Sequence, residues 1–306
     1  MPLHVRARIA EFATKPASAR PLAVLRIGIA LTLIGEAAIL APHLFEYYHP
    51  LGLVQSPINE AMAHWSLPSF RGLARVLFFS GVTDSRLLQI AFAVYVVAIH
   101  FLLLGWHTRI AAIVGWLLFL SFKASGSIWA YGAFEFAHIA LFYCVVLPVG
   151  DALSIDAIRK PTAPSRAARV GLRVLQLHLC IVYLASGLEK ASGDQWWNGE
   201  AIWRALMRPG HVSLDFSWLA GHALIAKLAC WSTVAYEVGY AVFVWFRPTR
   251  PFWIASILGM HLAIAAGLGL MFFSAVMVVL NVAAFLIPAD AAECPVNPGA
   301  SGSATA

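Results

Sequence analysis

Charge is what this sequence has least of. Asp, Glu, Lys and Arg make up only 12% of its 306 residues, about half the share of an ordinary water-soluble protein. With 60% hydrophobic residues and a mean hydropathy of +0.77, that shortage excludes a soluble globular domain and a disordered chain. Cysteine is scarce too. There are four, none in a C-x-x-C pair, so neither a disulfide scaffold nor a thiolate metal centre is expected. Cys144, Cys180 and Cys230 lie in apolar runs and read as small packing residues; Cys294 lies in the tail. No short period recurs, which excludes fibrous repeats. No cleavable signal peptide is expected. The first 21 residues carry Arg6, Arg8, Lys15 and Arg20 without a continuous apolar core.

What the sequence does have is apolar runs of membrane length. A span needs about 20 mostly apolar residues. Eight candidates stand at roughly 22–41, 86–105, 110–128, 133–150, 170–189, 224–246, 252–269 and 271–288. The expected fold is therefore an all-α, polytopic membrane bundle of about eight helices. Residues 1–21 form a basic leading segment, 22–288 the transmembrane domain and 289–306 a small, polar, disordered tail. Two long loops, about 42–85 and 190–223, separate the spans, and segment 70–82 reads as interfacial or re-entrant. Placing the N-terminus inside puts twelve Lys and Arg on the inner side against seven in the longer outer segments. Both termini are thus expected in the cytoplasm, and the membrane expected is the inner or plasma membrane. The net charge of +6 then belongs to loops that orient the chain and meet anionic lipid, not to a nucleic-acid surface.

An ionisable group inside a span is costly and marks a functional site by default. Here the candidates are Arg26, Glu36, His100, Lys123, Glu135, His138, His178, Glu189, Lys190, Glu237 and His261. Arg26 and Glu36 are expected to snorkel to opposite interfaces. His100 and His178 read equally well as hydrogen-bonding bridges between helices. Glu135 and His138, three residues apart, share a helix face. They form half of a carboxylate-bridged two-metal motif, but the second half is missing, so no metal is expected. Trp196, Trp197 and Trp203 form an aromatic belt on which a quinone ring can stack. Lys190 is the sharpest residue. At the end of the fifth span, partial desolvation disfavours its charged form and suits it to act as a general base. Glu189 beside it would oppose that shift if its carboxylate were near.

The stretch GLEKASGDQWWNG (187–199) resembles the G-x-x-K…W-x-x-G segment of the vitamin K-dependent gamma-glutamyl carboxylases and their bacterial relatives, the HTTM-domain proteins. Similar pieces follow the same order: LRIGIALTLIGE (25–36), GWHTRIAA (105–112), SIWAYG (127–132), PVGDALSID (148–156), RPTRPFW (247–253) and MHLAIAAGLGLMFFSAVMVVLN (260–281). The resemblance covers roughly residues 20–288. It implies a helical bundle that binds vitamin K hydroquinone or menaquinol. Lys190 would be the base that deprotonates it, and His261 would belong to the same active region. His138 and Glu135 would help position or stabilise an anion, Glu237 would orient a partner, and Trp196, Trp197 and His178 would contact the cofactor.

Two departures bear on the substrate. The chain ends about 18 residues after the last span, without the large lumenal domain by which the carboxylases hold protein. Gly126 and Ser127 stand where that family has an Asn-His pair. The expected function is a quinol-linked enzyme acting on another, unknown extracytoplasmic substrate. The alternatives are a membrane transport or lipid-binding protein, and a non-catalytic accessory subunit for an exported partner.

Overall fold

The structure, a computed structural model, describes residues 10–55, 58, 61, 69–70, 72, 84–126, 128, 130–208 and 214–290. Most of segment 70–82, the first nine residues and tail residues 291–306 lie outside these. The elements are α1 (Arg20–Leu40), α2 (Leu44–Tyr48), α3 (Asp84–Leu104), α4 (Thr108–Ser125), α5 (Gly132–Val146), α6 (Ile155–Arg159), α7 (Arg166–Ala191), α8 (Asp194–Trp197), α9 (Glu200–Leu206), α10 (Ala223–Phe243), α11 (Arg250–Leu268) and α12 (Met271–Phe285). Among the described residues there is no strand, only a single antiparallel bridge between Ala17 and Ser165. A helix stands at each of the eight apolar runs. Five stretches are long and apolar enough to cross a membrane: Arg20–Tyr48, α3, α4, α7 and α11. α5 and α12 are shorter apolar helices, and α10, 21 residues long, carries Lys227 and Glu237.

Local chemistry sets the helix ends. Pro21 and Pro251 stand in the first turns of α1 and α11, where their missing N–H costs nothing. Ser154 and Ser165 cap α6 and α7 by accepting from the N–H groups of Ala157 and Ala168, at 2.9 and 3.1 Å. Gly269, at φ 67°, ends α11 in the left-handed region and turns the chain straight into α12. The helices pack as an array. α1 lies between α3 and α12, α4 between α3 and α5, and α7 between α10 and α12. Leu22, Leu25, Ile29, Leu141, Leu175 and Leu280 fill the interior, while Leu31, Ile39, Ile110, Ile181 and Leu262 stay exposed on the outside. Exposed apolar side chains on interior-facing helices are what a hydrocarbon solvent requires.

Arg26 corrects one expectation. It does not snorkel: it is fully buried, and its guanidinium donates to the carbonyls of Leu102, at 3.2 Å, and Leu153. Leu102 stands in the last turn of α3 and Leu153 in the bend before α6, where carbonyls lack the partner that a continuing helix would give them. Gly105, at φ 66°, leaves the room the guanidinium occupies. Beside it, the Asp156 carboxylate accepts from the N–H groups of His107 and Thr108, at 3.0 and 2.8 Å, and from the Thr108 hydroxyl at 2.7 Å. Desolvation pushes the Asp156 carboxyl up, but these hydrogen bonds outweigh it and hold the group below its ordinary range. Segments 25–36, 105–112 and 148–156 thus meet at one structural clamp.

Candidate functional site

Near its end α7 carries Gly187, and this residue decides how close α10 comes. A Cβ built on Gly187 would stand 2.9 Å from Val238 N and 3.0 Å from Glu237 Cβ. The two helices therefore touch backbone to side chain, as small residues allow in membrane bundles. One turn further on, Lys190 Nζ reaches Glu237 Oε2 at 2.8 Å. It also donates to the Ser186 hydroxyl, and it lies 5.4 Å from the centre of the Trp196 ring, which α8 supplies. A carboxylate, a hydroxyl and an aromatic face thus surround one ammonium. Glu237 is only 5% exposed, so Lys190 is the cation that offsets the cost of burying this carboxylate.

These groups open onto a cavity of about 800 Å³. Its polar wall includes Lys190, Glu237, Ser186, Tyr183 and His261; Phe136, Val182, Ile202, Leu206, Ile264 and Phe273 belong to its apolar wall. An apolar cavity of that size with a few convergent polar groups is the usual form of a small-molecule site.

His261, from the middle of α11, is 2% exposed. Its Nε2 lies 2.9 Å from the Tyr183 hydroxyl. Asn281 of α12 donates through Nδ2 to the Tyr183 oxygen at 2.7 Å and to the Met277 carbonyl at 2.8 Å. The Tyr240 hydroxyl donates to Asn281 Oδ1 at 2.7 Å. Tyr183, Asn281 and Tyr240 are not among the sequence candidates, which are residues charged or titrating near neutral pH. The available signal was an Asn and two Tyr inside apolar runs, where each buried polar group must find a partner.

The cavity collects four of the sequence candidates, Lys190, Glu237, His261 and Trp196, and leaves the others elsewhere. Glu135 pairs with Lys123 at 2.5 Å. His138 stacks on Trp116 with ring centres 5.2 Å apart. His178 Nδ1 lies 2.9 Å from the Tyr143 hydroxyl. Trp197 is half exposed and donates its indole N–H to the Ala191 carbonyl at 2.8 Å. His100 lies 2.7 Å from the Val96 carbonyl of its own helix. Glu36 lines a second hollow, of about 520 Å³, with His43, Tyr47 and Tyr48. Among the described residues no three His, Cys, Asp or Glu stand together as a metal group.

The HTTM domain family model matches residues 56–288, well over half of the chain, and the chain belongs to that family. No curated protein and no solved structure matches it.

Proposed function

We propose that this HTTM-domain membrane protein is a quinol-linked enzyme, and that its cavity takes a membrane quinol such as menaquinol or vitamin K hydroquinone. The observation that carries the reading is the Lys190–Glu237 pair at the wall of an apolar cavity of about 800 Å³. The cavity's size and lining suit a ring with an apolar tail. A bound quinol would supply reducing equivalents and two acidic ring hydroxyls.

The residues themselves suit proton transfer. Lys190 is held as an ion pair, so proton uptake runs through both partners. Lys190 passes a proton to the Glu237 carboxylate over the 2.8 Å hydrogen bond and takes one from the ligand hydroxyl. The pair exchanges a buried ion pair for a neutral acid, and the ammonium stays opposite the oxygen that gave up its proton. Trp196 holds the ammonium from the side. His261 offers a polar contact elsewhere on the wall, and Phe136 and Phe273 exclude water.

The test is oxidation of menaquinol by purified protein in detergent or liposomes, with dissolved dioxygen as the acceptor of the two electrons and two protons and the protein-free rate subtracted. Lys190→Ala and Glu237→Gln are each expected to abolish turnover, and Lys190→Arg to lower it at least a hundredfold, since a guanidinium gives up no proton. Turnover that survives all three substitutions contradicts the reading. Ligand flux across liposomes without chemical change would replace it with transport.

A further inference from the structure

The hydrogen bonds behind His261 have a direction, and the residues determine it. The Met277 carbonyl is an acceptor only, so the Asn281 group facing it is the NH₂ and not the oxygen. The second N–H of that NH₂ goes to the Tyr183 oxygen, and the Asn281 oxygen accepts from Tyr240. Having accepted from Asn281, Tyr183 has one proton left to place, and the neighbour within reach is His261 Nε2. Were Nε2 to carry the proton instead, in a neutral ring or in an imidazolium, the tyrosine proton would be stranded in a wall where all four side chains are at most 2% exposed. The chain therefore runs Tyr240 to Asn281 to Tyr183 to His261, each bond polarising the next.

We propose that Tyr183, Asn281 and Tyr240 are positioning residues that fix His261 as the neutral tautomer protonated on Nδ1, and that the cavity's ligand presents an acceptor oxygen to this N–H. His261 Nδ1 is buried and has no partner within the protein among the described residues, although the ring lines the cavity. A buried donor left without a partner is costly, and a ligand acceptor would satisfy it. The proposal rests on the quinol reading and deepens it. The ligand would be a ring with two oxygens, one releasing a proton to Lys190 and Glu237, the other accepting from His261.

The tautomer is measured without any ligand. In protein labelled with ¹⁵N-histidine, the two ring nitrogens of His261, assigned through carbon correlations with Met260 and Leu262, report which one bears hydrogen. Protonated Nδ1 and bare Nε2 are expected in the wild type. Tyr183→Phe, which removes only the donating hydroxyl, is expected to move the proton to Nε2. An Nε2–H ring or an imidazolium in the wild type overturns the proposal, as does an unchanged Nδ1–H ring in Tyr183→Phe.

A second arm compares 4-methoxy-2-methyl-1-naphthol, whose ether oxygen can only accept, with 2-methyl-1-naphthol, which lacks the second oxygen. The methoxy compound is expected to bind about tenfold more tightly to the wild type, and Tyr183→Phe is expected to erase the difference. Equal affinities in the wild type overturn the acceptor-oxygen assignment. Failure of both to bind contradicts the quinol reading, while the nitrogen spectrum still decides the tautomer.

Discussion

Gly187 and Glu237 are in contact across α7 and α10: a methyl group on the glycine would stand 3.0 Å from Glu237 Cβ. That contact places the Lys190 ammonium, one turn on, against the Glu237 carboxylate. Gly187→Val is expected to push the helices apart and destabilise the protein by about 1–3 kcal/mol. Quinol binding should fall by more than the stability loss explains. Thermal unfolding beside ligand titration separates the two effects. Unchanged binding would show that the close approach does not serve the site.

The Lys190–Glu237 pair should show strong coupling. Removing one partner leaves the other buried and unpaired, so Lys190→Met alone is expected to cost about 3 kcal/mol. The double variant Lys190→Met with Glu237→Leu should recover most of that loss, since an apolar pair of similar volume has no charge to desolvate. A double-mutant cycle on unfolding in detergent measures it. Additive losses would mean that the pair does not hold the two helices together.

Much of the fold was legible because hydropathy acts locally: each of the eight apolar runs formed a helix. The site was legible in part. Lys190, Glu237 and His261 are ionisable groups inside apolar runs, and a low-dielectric interior gathers such groups. Spacing misled where a neighbouring helix decided. Glu135 and His138 share a face, yet α4 offers Lys123 to one and Trp116 to the other. Arg26 departs from the snorkelling expectation because its acceptors, the carbonyls of Leu102 in the last turn of α3 and of Leu153 in a bend, lie 76 and 127 residues away and are backbone rather than side chains. The Tyr183–Asn281–Tyr240 chain escaped because none of its members is charged at neutral pH.

The Arg26 clamp predicts a structural effect with no change in chemistry. Gly105→Ala puts a side chain where the guanidinium sits, at a backbone angle of φ 66° that alanine resists. A loss of at least about 1 kcal/mol is expected. The folded fraction that remains should keep the wild-type quinol affinity. A weaker affinity in the folded fraction would place the clamp within the site's own machinery.

Asp156 gives a pH signature. Its folded carboxyl titrates below its unfolded value, so its contribution to stability is fully present above about pH 4 and is lost as pH falls through the folded value. Asp156→Ala should cost about 1 kcal/mol at pH 7, the usual worth of a helix cap. Its stability should begin to converge with that of the wild type as pH falls below about 4 and continue to do so through the folded value. Parallel curves down to pH 3 would remove the carboxylate from the account.

The most direct test of the central claim is ligand-induced thermal stabilisation of the purified protein by a menaquinol analogue, wild type beside Lys190→Ala and Glu237→Gln. Binding to the folded state alone stabilises it by about 2.7 kcal/mol at a ligand concentration of 100 times Kd. The account predicts a dose-dependent rise in Tm for the wild type, sharply reduced in both variants. No rise for the wild type with any quinol, or the same rise in all three proteins, would contradict it.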